Sequence, residues 1–124
     1  MNRIIHFEIA ANNPEKVIAF YKSVFGWNVQ QWGNEEYWLA FTGDKSKPGI
    51  DGAFFKPKGP MPGNGFVNTI QVENLDGSIE KVKTSGGQLV VDKMTLPGIG
   101  FLCYCKDVEG TIFGMMQEDL NAGK

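Results

Sequence analysis

The chain has 124 residues, 42% of them hydrophobic and 21% charged, which makes one ordinary domain able to bury roughly two-thirds of the surface its unfolded form exposes. A formal net charge of -2, with no block of like charges, gives no footprint for nucleic acid and no basic face for an anionic membrane, and no apolar run approaches a bilayer span. Sixteen glycines and fifteen aromatic residues are many for this length and point to numerous turns or close backbone approaches. Because Met1-Asn2-Arg3 leads directly into a strand pattern without the apolar core of a secretory signal, a soluble cytoplasmic protein is expected.

In Ile4-Ile5-His6-Phe7-Glu8-Ile9 alternate residues form two sets. A strand there places Ile5, Phe7 and Ile9 on one face and Ile4, His6 and Glu8 on the other, so one face is apolar and the other carries the only histidine. Pro14 suits the first position of a helix, Asn13 is its predicted N-cap, and Gly26 its predicted end. Val17, Phe20, Tyr21, Val24 and Phe25 recur at helical spacing, a stripe wide enough to cover the apolar side of the strand. Residues 27–32 and 37–42 read as strands joined across Gly33-Asn34 into a hairpin. A loop over 43–49 leads to the last strand of this half, 50–56. Residues 57–65 hold three prolines and three glycines and form a connector, a composition that also suits a mobile flap.

The second half repeats the plan. Residues 66–72 read as a strand, 76–85 as a short helix with Ile79 and Val82 on its apolar side, and 88–94 and 100–106 as strands. Asp107-Val108-Glu109-Gly110 turns the chain into a final strand over 111–117, and 121–124 is a frayed tail. Thr69-Ile70-Gln71-Val72 aligns with His6-Phe7-Glu8-Ile9, and Ser85-Gly86-Gly87 stands where Phe25-Gly26-Trp27 stands. The expected fold class is therefore α+β, with two βαβββ modules over 1–56 and 66–120 joined by 57–65. Cys103 and Cys105 lie two apart in a strand-like run, where a disulfide has poor geometry, so both are expected as free thiols.

With Pro14-Glu15-Lys16, the run Phe20-Tyr21-Lys22-Ser23-Val24-Phe25-Gly26-Trp27, and the late Asp107-Val108-Glu109-Gly110-Thr111-Ile112-Phe113-Gly114, the chain resembles the vicinal oxygen chelate superfamily. That group holds glyoxalase I, bleomycin-resistance proteins and extradiol dioxygenases. The resemblance covers nearly the whole chain and implies paired βαβββ modules in a pseudo-twofold arrangement, with curved mixed sheets around a cleft. It also implies frequent dimerisation and a divalent metal held by one residue from the first and last strand of each module.

Carried over position by position, that ligand set falls on His6, Thr69 and Gly114, with Gly52 as the counterpart of Gly114 when the two glycines are superposed. Asp51 and Ala53 flank Gly52, and alternation turns Asp51 to the opposite face. One good donor of four is too few for a stable site, so no metal is expected, although a divalent metal stays open with His6 as its ligand. His6 and Glu8, roughly 7 Å apart along one strand face, form the candidate catalytic pair, either as an acid–base couple or as an imidazole oriented by a carboxylate. The plainer alternative is a hydrogen-bonded histidine in a partly polar cleft. Gly52 and Gly114 are expected where two backbones approach closely.

Alternation from His6 further predicts that Phe54, Ile112 and Met116 face inward with Thr69 and Gln71, and that Trp38 joins them from the hairpin, as in an apolar pocket with few polar groups. The expected function is that of a homodimeric small-molecule-binding protein without the full metal set. Two alternatives remain, a metal-dependent lyase of the glyoxalase I type or a dioxygenase, and a non-catalytic scaffold or regulatory subunit. Whether the protein is an enzyme is left open.

Overall fold

Local sequence signals set the element borders. In the computed structural model, which describes residues 1–124, Asn13 caps the first helix by accepting from the Lys16 backbone N–H at 3.3 Å, and Gly26 ends it in the left-handed region at φ 71°. The second helix starts one residue earlier than expected, at Leu75, because Asn74 caps it through the Gly77 N–H at 3.1 Å. Contacts divide the chain into two compact units, Ile5–Val67 and Asn68–Lys124, the latter joined by Met1–Ile4.

The first unit contains β1 (Ile4–Ala10), α1 (Pro14–Phe25), β2 (Asn28–Gln31), β3 (Tyr37–Phe41) and β4 (Gly52–Phe55). Its strands lie in the order β2-β3-β4-β1, with β1 parallel to β4 and the other pairs antiparallel. The second unit has β5 (Phe66–Gln71), α2 (Leu75–Thr84), β6 (Gln88–Leu96), β7 (Gly100–Lys106) and β8 (Ile112–Glu118). Here the order is β5-β8-β7-β6, β5 is parallel to β8, and the rest are antiparallel. Each unit thus has the βαβββ connectivity read from the repeat.

In both units one sheet face is apolar and packs beneath a helix. Phe7, Ile9, Ala40 and Phe54 are buried with Val17, Ile18 and Tyr21 of α1 and with Trp27, Val29 and Trp38. The expected helical stripe is only partly used. Ile18 joins the packed side in place of Phe20, Val24 and Phe25, which stay more than half exposed, because α1 lies with its 17–18–21 edge on the sheet. The second core gathers Val72, Leu75, Ile79, Cys103, Cys105 and Met115. Both cysteines are free and buried, and burial pushes the Cys103 thiol up to about 12, which leaves it protonated and inert.

Candidate functional site

The helix-free face of the first unit is set by strand register. Parallel pairing of Phe7 with Gly52, Glu8 with Ala53 and Ile9 with Phe54 sends Phe7, Ile9, Gly52 and Phe54 toward α1, and His6, Glu8, Ala53 and Phe55 to the other side. Antiparallel pairing of Trp38 with Phe54 and of Leu39 with Ala53 then puts Trp38 on the α1 side, and Tyr37, Leu39 and Phe41 beside His6. Two expectations change accordingly. Phe54, wholly buried, and Trp38 do not share a face with His6; Phe54 sits in the core, and Trp38 borders a surface depression of about 650 Å³ with Ile18, Lys22 and Val29 of the α1 side.

His6 is half-buried, and its Nε2 lies 2.9 Å from the Tyr37 hydroxyl. Glu8 is 3% exposed, flanked by Ala53 in the parallel ladder. Burial holds the imidazole below the ordinary histidine value of 6.5, opposed in part by the carboxylates of Glu8 and Asp51. A neutral ring is therefore favoured near neutral pH, as a base or an electrophile requires.

The lowered value has a stability consequence with a definite sign. As pH falls through 6.5, histidine in the unfolded chain takes up a proton that the folded protein resists, so wild type should lose stability relative to His6→Asn in that window and gain nothing further above it. Since His6 is the sole histidine, an NMR titration of its ring reads the same group. A midpoint at or above 6.5 contradicts the assignment.

Sequence reasoning missed Tyr37 and misplaced Asp51. The signal for Tyr37 is the hairpin register, which cannot be fixed from composition alone. For Asp51, the β1–β4 ladder begins with Phe7 opposite Gly52, so the residues just before that pair, His6 and Asp51, face each other. In the second unit the corresponding pair is Thr69 with Gly114. The counterpart of Gly114 is thus Asp51 rather than Gly52, a correction of one residue. Gly52 lies under the Phe7 ring on the α1 side, whereas a side chain at Gly114 would meet the Thr69 hydroxyl and Tyr104 on the helix-free side. Asp51 is itself tied down, accepting from the Thr42 backbone N–H at 2.8 Å and from the Thr42 hydroxyl at 3.2 Å. It also lines a cavity of about 520 Å³ under the 42–51 loop, with Thr42, Lys45 and Lys47.

In the second unit the expected set keeps together. Thr69, Gln71, Ile112 and Met116 share the helix-free face, because Thr69 pairs with Gly114, Gln71 with Met116, and Ile70 and Met115 turn to the α2 core. Thr69 is buried, and the Gln71 amide donates to Glu118 at 2.7 Å.

Whether a divalent metal fits is decided by these donors. The first unit offers an imidazole already bonded to Tyr37, the buried Glu8 carboxylate and the Asp51 carboxylate already bonded to Thr42; the second unit's own face offers a hydroxyl at Thr69 and no side chain at Gly114. No group of three or more His, Cys, Asp or Glu side chains is placed to hold an ion. A zinc-type site takes three or more such protein ligands, a set these donors do not supply, and no chemistry is routed through a metal.

Comparison with known proteins bears on the family and the fold. The sequence model of the Glyoxalase/Bleomycin resistance protein/Dioxygenase superfamily matches residues 3–113. The candidate glyoxylase CFP32 of Mycobacterium bovis, and that of Mycobacterium tuberculosis, are each 25% identical over 119 residues, 92% of this chain and 43% of theirs. The chain therefore spans less than half the length of these curated relatives. Among solved structures, hypothetical protein BH1468 from Bacillus halodurans superposes with a TM-score of 0.67 at 15% identity, covering 99% of both chains. A superfamily member from Vibrio splendidus gives 0.65 at 15%, covering 96% of this chain and 100% of the other. Methylmalonyl-CoA epimerase from Streptomyces coelicolor, solved in complex with 2-nitronate-propionyl-CoA, gives 0.62 at 14%, covering 95% and 98%. These likenesses establish a glyoxalase-like fold.

Proposed function

The chain belongs to the glyoxalase/bleomycin resistance protein/dioxygenase superfamily, and from that premise we propose that it binds a small organic molecule on the helix-free face around His6 without a bound metal. One observation carries the reading: the only histidine, neutral by burial, is fixed at 2.9 Å to a tyrosine hydroxyl on a sheet face that no helix of its unit covers. Such a face, apolar with a few fixed polar groups, is the chemistry of a small-molecule site. His6 and Glu8 are the groups able to move a proton there, the imidazole as base and the buried carboxylate as its electrostatic partner. On the second unit's own helix-free face, Thr69, Gln71, Ile112 and Met116 are proposed as ligand-facing residues of that unit. Homodimerisation belongs to the same reading, and it is supported by the exposed Phe20, Val24 and Phe25 on α1.

Because a structural relative is an epimerase holding a CoA ester, the test starts there. Purified protein is screened by thermal shift against methylmalonyl-CoA and a panel of small keto acids, ketones and aromatic carbonyl compounds, with elemental analysis on the same sample. A true ligand at a hundredfold excess over its Kd adds about 2.7 kcal/mol to the folded state, a shift of several degrees, and the shift should shrink in His6→Asn. A panel that moves nothing, or stoichiometric zinc, nickel, manganese or iron that disappears in His6→Ala, defeats the proposal.

A further inference from the structure

The loop between β3 and β4 is tied shut at its neck. The Thr42 backbone N–H donates to Asp51 Oδ1 at 2.8 Å, and the Thr42 hydroxyl lies 2.7 Å from the Ile50 carbonyl oxygen and 3.2 Å from the same carboxylate oxygen. Inside the loop, Asp44 Oδ1 accepts from the Ser46 N–H at 2.9 Å and the Asp44 carbonyl accepts from the Lys47 N–H at 3.0 Å, a turn that holds Lys45 and Lys47 on either side of Ser46. A loop closed at its ends and braced within is a fixed wall, and the cavity of about 520 Å³ beneath it lies in the size range of small-molecule sites. The charged side chains lining it are Asp44, Lys45, Lys47 and Asp51, and its apolar side is made by Ile5, Pro48 and Ile50.

Groups of both signs in that lining are unengaged. The ion pairs of the protein join Glu36, Glu80 and Asp76 to other lysines, and neither Lys45 nor Lys47 is paired with Asp44 or Asp51. Both bonds to Asp51 fall on Oδ1, so Oδ2 remains an acceptor. Asp44 differs, since the backbone and side chain of Ser46 bind its carboxylate and hold its carboxyl below the usual range. Two ammonium groups and two carboxylates cancel, so a ligand with a single charge would upset the balance where one bearing both signs would not. Ile5 and Ile50, 37% and 38% exposed, add apolar surface that the fold leaves uncovered. We propose that this loop cavity binds a free α-amino acid with an apolar side chain, its carboxylate held by Lys45 and Lys47, its ammonium by Asp51 Oδ2, and its side chain against Ile5, Pro48 and Ile50. The site does not depend on what binds the His6 face, and Asp51 is the residue the two regions share.

Calorimetric titration of the whole chain compares L-phenylalanine with three probes: N-acetyl-L-phenylalanine, which lacks the ammonium, L-phenylalanine amide, which lacks the carboxylate, and glycine, which lacks the apolar group. Phenylalanine should bind wild type roughly tenfold or more tightly than each of them, since every probe leaves one set of wall groups without its partner. The double variant Lys45→Gln/Lys47→Gln alters only exposed, unpaired ammonium groups, so it should melt as wild type does and lose roughly tenfold or more in affinity for phenylalanine. A second readout lies across the ladder. The Asp51 carboxylate raises the His6 value, so an ammonium seated at Oδ2 should offset it and lower the midpoint of the His6 ring titration, a change that adventitious binding elsewhere would not produce. No phenylalanine binding to wild type, equal affinity for the acetylated or amidated probe, unchanged affinity in the double variant, or a His6 midpoint that stays or rises in the complex overturns the inference. The proposal for the His6 face is untouched by that failure and falls only on its own ligand panel and metal analysis.

Discussion

Phe54→Ala is expected to cost about 3–5 kcal/mol of stability, the range for removing a wholly buried ring. Phe54 is 0% exposed, with ring centroids 5.5 Å from Tyr21 and 6.2 Å from Trp27, so it joins the sheet to α1 and to Trp27 just beyond the helix cap. The cavity should not collapse readily. Phe7 and Ile9 are fixed by β1 pairing, and α1, which has no fully buried residue of its own, holds to the sheet through few side chains. Urea unfolding measures the loss, and amide exchange in α1 should rise beyond that in α2. A loss under about 1 kcal/mol would mean that α1 repacks around the gap, against the picture of a rigid first core.

Gly52→Ala should be nearly as harmful, at about 3 kcal/mol, the upper end of overpacking. An added Cβ would stand 2.5 Å from the Phe7 carbonyl oxygen, 2.5 Å from Phe7 Cε1 and 2.6 Å from Cδ1. The ring can turn; the carbonyl cannot move without shifting β1 against β4. Gly114→Ala is the internal comparison, since its nearest neighbours are the Thr69 hydroxyl at 2.9 Å and Tyr104 Cε1 at 3.3 Å, both side-chain atoms. It should cost distinctly less. Equal melting temperatures for the two variants would show that the β1–β4 ladder yields at Gly52, and that the close approach is not what keeps glycine there.

The pattern of β1 and α1 was legible because each signal acts locally: alternation in Ile4–Ala10, the cap at Asn13, Pro14 in the first turn and the left-handed Gly26. The duplicated connectivity was legible for the same reason, since Thr69 and Gln71 repeat the facing of His6 and Glu8. What escaped is register, which depends on partners distant in sequence. A single-residue step in β4 decides whether Asp51 or Gly52 stands opposite His6, and no composition rule fixes it. The same step carried Phe54 and Trp38 to the core side and brought Tyr37 to His6. The α1 stripe failed in a related way. Helical spacing shows which residues lie on one flank, but the angle at which the helix sits on the sheet chose Ile18 over Phe20 and Val24.

The sealed thiols of the second unit make its internal opening observable without any label built in. Cys103 and Cys105 are wholly covered in the core that holds Leu75 and Ile79, and they are protonated at neutral pH. An alkylating reagent reaches them only while that layer is parted, so the rate of modification in native buffer counts excursions of the α2 unit. The protein carries a chemical clock on one half of its duplicated architecture and none on the other, whose residues include no cysteine.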